Sequence, residues 1–338
     1  MEISELYPKL CSYENLETAF KRAKKRKSTK PYVAEFEKNL SENLMKLRNE
    51  LVFHTYRPAL LKTFIICDPK TRKICKSAFR DRVVHHALVR VIEPIFEKTF
   101  IYDSYANRKG KGVHSALNRF DYFKRKVSKN NTRNCYVLKA DIRHYFETVD
   151  QNILTNIISK RIKDKRIIWL IRRILENYNS KQTGKGMPLG NLTSQFFANV
   201  YLNELDQFVK HKLKAKYYLR YVDDFVVLSH SKEFLENCKE QINNFLKNEL
   251  KIELHPDKSK IIPLCKGISL LGFRTFYYHK LLRKSNLKKF LRKLAELKEK
   301  LKLSLITEDD LAESVQGWVG YAMHGNTYSL RKTLFKNL

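Results

Sequence analysis

Apolar residues along this chain follow two rhythms. Short runs rich in β-branched and aromatic residues alternate with longer stretches in which apolar positions return every third or fourth residue, so a mixture of strands and helices is expected. Residues 1–50 carry the helical rhythm. Thr63-Phe64-Ile65-Ile66 reads as a strand that turns at Asp68-Pro69 and returns over residues 72–78. Val83, Val84, Ala87, Leu88, Val91 and Ile92 then mark a helix from about Asp81, with Asp81 as its cap. A further helix is expected from Val113, a strand over 135–142 and one or two helices over 150–177. Three glycines and Pro188 make 184–190 a loop. A long helix over 192–212 follows, with Phe196, Phe197, Val200, Tyr201, Leu205 and Phe208 on one broad face. Next come a hairpin centred on 221–224, a helix over 231–250, and short strands at 252–254 and 268–271. From 135 to 254 the order is strand, helix, helix, hairpin, helix, strand, compatible with a ferredoxin-like βαββαβ unit in an α+β protein. After 280 the pattern is helical, with Leu287, Phe290, Leu291, Leu294 and Leu301 as an apolar stripe.

The hairpin carries the most pointed chemistry. Asp223 and Asp224 sit between the apolar runs 217–222 and 225–228, and Asp141 ends the run Tyr136-Val137-Leu138-Lys139-Ala140. Taken alone, Asp-Asp at a hairpin turn is also what turn geometry selects, because short acids tolerate it. Three carboxylates converging from neighbouring strands can instead hold two Mg²⁺ ions about 3.5–4 Å apart, a pair that activates an attacking hydroxyl and stabilises the leaving oxygen in phosphoryl transfer. Mg²⁺ takes oxygen ligands and leaves positions for substrate phosphates, so a few acids suffice.

Charge narrows the partners. Lys+Arg 67 against Asp+Glu 35 leaves +32 over 338 residues, spread along the chain. Such a surface attracts polyanions in a salt-dependent way. No segment pairs a basic face with the Trp-rich apolar face of an interfacial helix, so nucleic acid is favoured over a membrane. Lys24, Lys25 and Arg26 lie in the densest basic run. Arg108, Lys109 and Lys111 surround Gly110 and Gly112 before a helix, an arrangement suited to a phosphate backbone or to a flexible surface loop. Lys288, Lys289 and Arg292 belong to a stretch, 280–302, with ten Lys/Arg and two Glu; it reads as a helix along a duplex or as a solvated helix. The six cysteines include no CxxC pair and no zinc spacing, so reduced, mostly buried thiols are expected. The first ten residues have no apolar signal core and no apolar run is long enough to span a bilayer, so a cytoplasmic protein is expected.

Five blocks, in order, resemble the reverse transcriptases over roughly residues 55–335. They are the Asp141 strand end, Gly186 to Gln195, Tyr221-Val222-Asp223-Asp224, His255 to Lys260, and Leu270-Leu271-Gly272-Phe273. The resemblance implies a right-hand polymerase fold with fingers, a ferredoxin-like palm and a helical thumb. Its parts would be a basic extension at 1–55, fingers at 56–134 with part of 150–195, palm at 135–275 and thumb at 276–338. It implies Mg²⁺ (or Mn²⁺) on Asp141, Asp223, Asp224 and the Ile142 carbonyl, and Lys258, with Lys260 as the alternative, as the acid that protonates pyrophosphate. Arg72, Arg80, Phe146, Leu189, Gly190 and Gln195 would meet the incoming dNTP, with Phe146 as a steric gate against a 2′-hydroxyl. Leu271, Gly272 and Phe273 would grip the primer. Gly317-Trp318-Val319-Gly320-Tyr321-Ala322 is similar to the thumb of group II intron-related bacterial enzymes. Phe79 to Leu88 and Gly190-Asn191-Leu192-Thr193-Ser194-Gln195 resemble the reverse transcriptases of diversity-generating retroelements, which carry an aliphatic residue at the Leu189 position where others carry Gln. That likeness implies adenine-mutagenic cDNA synthesis on a dedicated template RNA, an RNA/cDNA duplex as product, and a small basic, oligomeric accessory variability protein as partner. A retron-type or antiphage reverse transcriptase and an inactive RNA-binding protein on the same fold are the alternatives.

Overall fold

In the computed structural model, which describes residues 5–67, 71–178 and 182–335, the chain enters through helices α1 (Leu6–Cys11), α2 (Tyr13–Lys24), α3 (Pro31–Lys38) and α4 (Leu40–Val52). Ser12 starts α2 by accepting from the Asn15 amide at 3.2 Å. Strands β1 (Lys62–Ile66) and β2 (Arg72–Lys76) form an antiparallel ribbon with Phe64 opposite Ile74. The expected turn at Asp68-Pro69 lies outside the described residues. Helix α5 (Phe79–Glu97) is the buried axis of this half, and α1, α2 and α3 pack on it. Asp81 does not cap α5. Ala78 holds the cap position, while the Asp81 carboxylate accepts from Tyr56 Oη at 2.8 Å and the Ala59 amide at 3.0 Å. Burial raises its pKa against those hydrogen bonds.

The second half is built on one sheet. After α6 (Val113–Val127) come β3 (Tyr136–Ala140), α7 (Tyr145–Thr148), α8 (Gln151–Arg161), α9 (Lys165–Glu176) and α10 (Leu192–Gln207). The last turn expected of α10 is a π-helical turn, Phe208–Lys212. Then follow β4 (Tyr218–Tyr221), β5 (Asp224–Ser229), α11 (Lys232–Glu249) and β6 (Lys260–Pro263), and the sheet runs β4-β5-β3-β6 with antiparallel neighbours. That is the ferredoxin-like order, but its fourth strand is 260–263 rather than 252–254. Residues 252–254 reach β3 only past its end, where Leu254 bridges Ile142, because β6 already occupies the β3 edge from Tyr136 to Lys139.

Both faces of the sheet are covered, so its strands read as unbroken apolar runs. Leu138, Ala140, Tyr218, Phe225 and Val227 join the large core with α5 and α8 to α11. Val137, Leu219, Val226 and Leu228 meet Ala116, Phe120, Phe123 and Val127 of α6. Strands β7 (Ile268–Leu270), β8 (Phe273–Thr275) and β9 (Lys280–Leu282) form a small sheet leading to α12 (Lys284–Lys302), α13 (Glu308–Ala322) and α14 (Tyr328–Leu334). Residues 280–282 are thus a strand, where the pattern predicts helix, because Asn326 Oδ1 and the β8 ladder take their backbone groups. Phe290 and Trp318 stack at 3.8 Å between ring centres and hold α12 on α13. Of the expected apolar stripe, Phe290 and Leu294 are buried and Leu291 is exposed. Cys11, Cys75, Cys135 and Cys238 are buried free thiols; Cys67 and Cys265 are exposed. Among the described residues no helix is long and apolar enough to cross a membrane.

Candidate active site

Register brings the carboxylates together. Ala140 pairs with Phe225, and continuing that register by one residue sets Asp141 opposite Asp224. Tyr221 pairs with Asp224, so Val222 and Asp223 form a two-residue turn. Val222 sits at φ +55°, a conformation that costs a β-branched residue on the order of 1–3 kcal/mol. The turn is held from below. Arg220 donates to the Val222 carbonyl at 3.0 Å and to Asn199 Oδ1 at 3.1 Å. Its other nitrogens meet Asp206 at 2.7 and 2.5 Å and Ser104 Oγ at 3.1 Å. Arg220 and Asp206 are both fully buried. Burial works against the guanidinium's charge, but Asp206 outweighs it and the pKa of Arg220 is raised.

Asp223 is the strained member of the carboxylate group. Burial first, then the charges of Asp141 and Asp224, push its pKa up to about 6, with Arg72 pulling the other way. Lys258 Nζ stands 2.6 Å from Asp141 Oδ2. Hydrogen bonds from the Arg143 amide to Glu253 O (3.0 Å) and from the His255 amide to Asp141 O (2.7 Å) run toward residues 253–255, which leaves the Ile142 carbonyl on the Asp223 side. Among the described residues no three carboxylate, imidazole or thiol groups already form a closed metal cage. The donor set still suits a hard cation. Like charges crowd at Asp223, and an ammonium has already been drawn onto Asp141.

The ribbon β1–β2 packs on the 184–190 loop, and the charge of Arg72, at its β2 end, reaches Asp223. The Cys75 amide donates to the Leu189 carbonyl at 3.0 Å, and a Cβ on Gly190, at φ +111°, would come 2.9 Å from Ile74 Cγ2. Glycine is therefore the residue that lets the 184–190 loop sit against β2. Phe146 is half-buried, edge-on to Tyr145, and its carbonyl accepts from the Met187 amide at 2.7 Å. Leu189 and Gln195 are half-buried, Gln195 in the first turn of α10. Leu271 (φ +47°) and Gly272 (φ +92°) form the β7–β8 turn, with Phe273 buried. Tyr321 Oη and Asn286 Nδ2 donate to the Gly272 carbonyl at 3.3 and 3.4 Å, tying that turn to α13 and α12.

Some expected contact residues are committed elsewhere. Arg80 pairs with Glu50 of α4 and faces the Tyr56 ring, so it braces the N-terminal helices instead of reaching the carboxylates. Arg108 is turned inward, bonded to Glu97 and to the carbonyls of Ile101 and Ser104, so it organises its loop rather than facing a phosphate backbone. Lys24 pairs with Glu37. Lys111 donates to the Tyr102 carbonyl at 2.7 Å over that ring. Lys25, Arg26, Lys109, Lys288, Lys289 and Arg292 are exposed. The Arg220–Asp206 pair escaped the sequence reading. Its one signal was an arginine inside an apolar strand run, which demands a buried acid.

A ferredoxin-like sheet that carries acids at one strand end and on the neighbouring hairpin, flanked by a ribbon and followed by a helical appendage, is the construction of a right-hand nucleic-acid polymerase. Residues 67–275 match the family described as reverse transcriptase (RNA-dependent DNA polymerase), and the chain belongs to that family. Protein YkfC of Escherichia coli K12 is 28% identical over 284 residues, covering 72% of each chain. The group II intron-encoded protein LtrA of Lactococcus lactis is 26% identical over 302 residues; the match covers 69% of this chain and 49% of LtrA, so this chain spans about half of that relative. Among solved structures, apo telomerase of Candida tropicalis is similar at a TM-score of 0.48 and 16% identity, over 69% of this chain and 57% of that one.

Proposed function

We propose that this chain is an RNA-directed DNA polymerase that copies a dedicated template RNA with errors at adenines, as the enzymes of diversity-generating retroelements do. The observation that carries the polymerase reading is the register that sets Asp141 opposite Asp224, with Asp223 beside them. Asp141, Asp223, Asp224 and the Ile142 carbonyl would hold Mg²⁺, or Mn²⁺ in its place. When bound, the ions supply neutralisation of the triphosphate and activation of the primer 3′-hydroxyl. Lys258 then leaves Asp141 and turns its ammonium to the pyrophosphate. Arg72, whose charge already reaches Asp223, takes the triphosphate bidentately. The Leu271-Gly272-Phe273 turn carries the primer strand. Lys288, Lys289 and Arg292 follow the backbone of the RNA/cDNA duplex, while Lys25, Arg26 and Lys109 meet template RNA. A small basic accessory protein completes the assembly.

Phe146 is assigned to the sugar. Phe146→Ala raises incorporation of ribonucleotides relative to deoxyribonucleotides by about tenfold or more, which corresponds to about 1.4 kcal/mol of discrimination. A primed template supplied with mixed nucleotides reads the ratio, and an unchanged ratio in an active variant returns Phe146 to plain packing.

The finer reading rests on Leu189. A glutamine there donates and accepts hydrogen bonds and holds its neighbours in one geometry; an aliphatic chain does neither. One such contact is worth about 1 kcal/mol, enough for several-fold in error rate. Leu189→Gln therefore lowers misincorporation opposite template adenine more than opposite other bases, scored by sequencing cDNA. Equal error spectra from two equally active enzymes would remove the adenine-mutagenic reading and leave a group II intron-like reverse transcriptase.

A further inference from the structure

An open groove of about 770 Å³, lined by none of the three carboxylates, runs between α11 and the chain that leads from α11 into β6. A second cavity, of about 530 Å³, shares Arg143, Lys247 and Glu253 with it, so the two form one continuous trough along the flank of the sheet. Seven lysine or arginine side chains line the trough against three glutamates. Two of those glutamates are already answered, Glu253 by Arg143 at 2.8 Å and Glu236 by Lys232 at 3.1 Å. Lys185, Lys239, Lys247, Lys251 and Lys260 have no ion-pair partner among the described residues, with Glu240 the one remaining acid. This surplus is concave, and its lining borders the Asp141 backbone through His255 and Ser259 without including Asp141, Asp223 or Asp224.

We propose that this trough docks a double-helical part of a structured RNA, held by its phosphate backbone and distinct from the strand being copied. The lining decides the occupant. It contains no Phe, Tyr or Trp, and only His144, His255 and the Glu253-paired Arg143 offer flat groups, so it lacks the row of aromatic platforms on which a single-strand channel stacks successive bases. A-form duplexes are recognised by shape and by phosphate and 2′-hydroxyl contacts, which such a lining provides. Lys232, Lys239 and Lys247 share the groove face of α11, spaced by about 11 and 12 Å at 1.5 Å rise per residue. A row of cations at that spacing tracks a backbone and would be excessive for one small anion. A flat bilayer does not enter a trough, and an acidic peptide would need apolar anchors that the lining supplies only at Ile252, Leu254, Pro256 and Ile261.

The test uses the full chain with Lys239→Glu, Lys247→Glu and Lys251→Glu combined, none of them assigned to the polymerase site. A control carries Lys160→Glu, Lys163→Glu and Lys165→Glu, the same charge change on exposed positions of α8, its exit and the start of α9. Binding of a labelled long-stem RNA hairpin and of an unstructured RNA of equal length is measured between about 50 and 200 mM salt. The groove variant should bind the hairpin at least tenfold more weakly. Its salt slope should fall by two to three, at roughly 0.9 per lost phosphate contact. The unstructured strand should be bound as before, and primer extension on a short unstructured template should keep the wild-type rate. Unchanged hairpin affinity overturns the proposal. So does an equal loss in the control variant, which would show diffuse attraction, or an equal loss on the unstructured strand, which would show a single-strand channel. Lys→Gln at the same positions serves if charge reversal lowers the melting temperature. Because extension on the short template is read separately, failure here is distinct from failure of the polymerase reading.

Discussion

Asp223→Asn is expected to cut primer extension by at least about a thousandfold while leaving the metal-free protein more stable than wild type. The two effects share one cause. Asp223 is half-buried beside Asp141 and Asp224, and partial desolvation and their charges hold its pKa at about 6 against an ordinary 3.8. A carboxyl whose folded pKa is raised binds its proton more tightly in the folded chain than in the unfolded one. Wild-type stability therefore declines as pH rises from about 4 through about 6, and the deficit persists above that. Two units at 1.36 kcal/mol each put the deficit on the order of 2–3 kcal/mol. Asparagine keeps the shape and removes the charge, so urea unfolding in EDTA should show a gain at pH 8 that fades toward pH 4. Extension fails because the site then lacks one of the charges that neutralise the reacting phosphates, and a preorganised electrostatic contact is worth on the order of 10²–10³ in rate, with loss of a metal ligand costing more. Wild-type extension by the variant would end the assignment of Asp223. A loss of stability at pH 8 would show that the crowding is relieved elsewhere.

Asp206→Ala is expected to cost roughly 3–5 kcal/mol of stability, because it strands the Arg220 guanidinium in a site with no access to water. The damage should extend to catalysis, since the same guanidinium holds the Val222 carbonyl of the strained turn at 3.0 Å. A paired replacement separates the two. Asp206→Leu with Arg220→Met removes both charges and should recover much of the stability, as buried ion pairs exchanged for apolar residues often do. Extension should remain low, because nothing then holds Val222 at its positive φ. Chemical denaturation and primer extension on the three proteins read the two effects apart. A denaturation midpoint for Asp206→Ala at the wild-type value would mean that water or a neighbour already satisfies Arg220.

The carboxylates were legible because their signal is local. Asp141 ends an apolar run and Asp223-Asp224 interrupt another, so two windows of a few residues suffice to mark them. Helix spans were legible for the same reason, and the α10 face from Phe196 to Leu205 is buried as its spacing predicts. Cations were not sortable in this way. In a chain with 67 lysines and arginines, periodicity cannot tell which will find an acid. Arg80 meets Glu50, 30 residues away, and Arg108 meets Glu97, 11 residues away, and each is committed to a structural duty.

Most of the strand–helix order, the position of the acids at strand ends and the polyanion-seeking charge were legible in local sequence alone. Those follow from side-chain period and composition, which need no partner. Long-range packing decided that 260–263 and not 252–254 completes the sheet, that 280–282 is a strand, and that Arg220 and Asp206 support the Val222–Asp223 turn. Each of those outcomes is a competition for one edge, one ladder or one buried charge. The winner is set by what else the folded chain brings to that place.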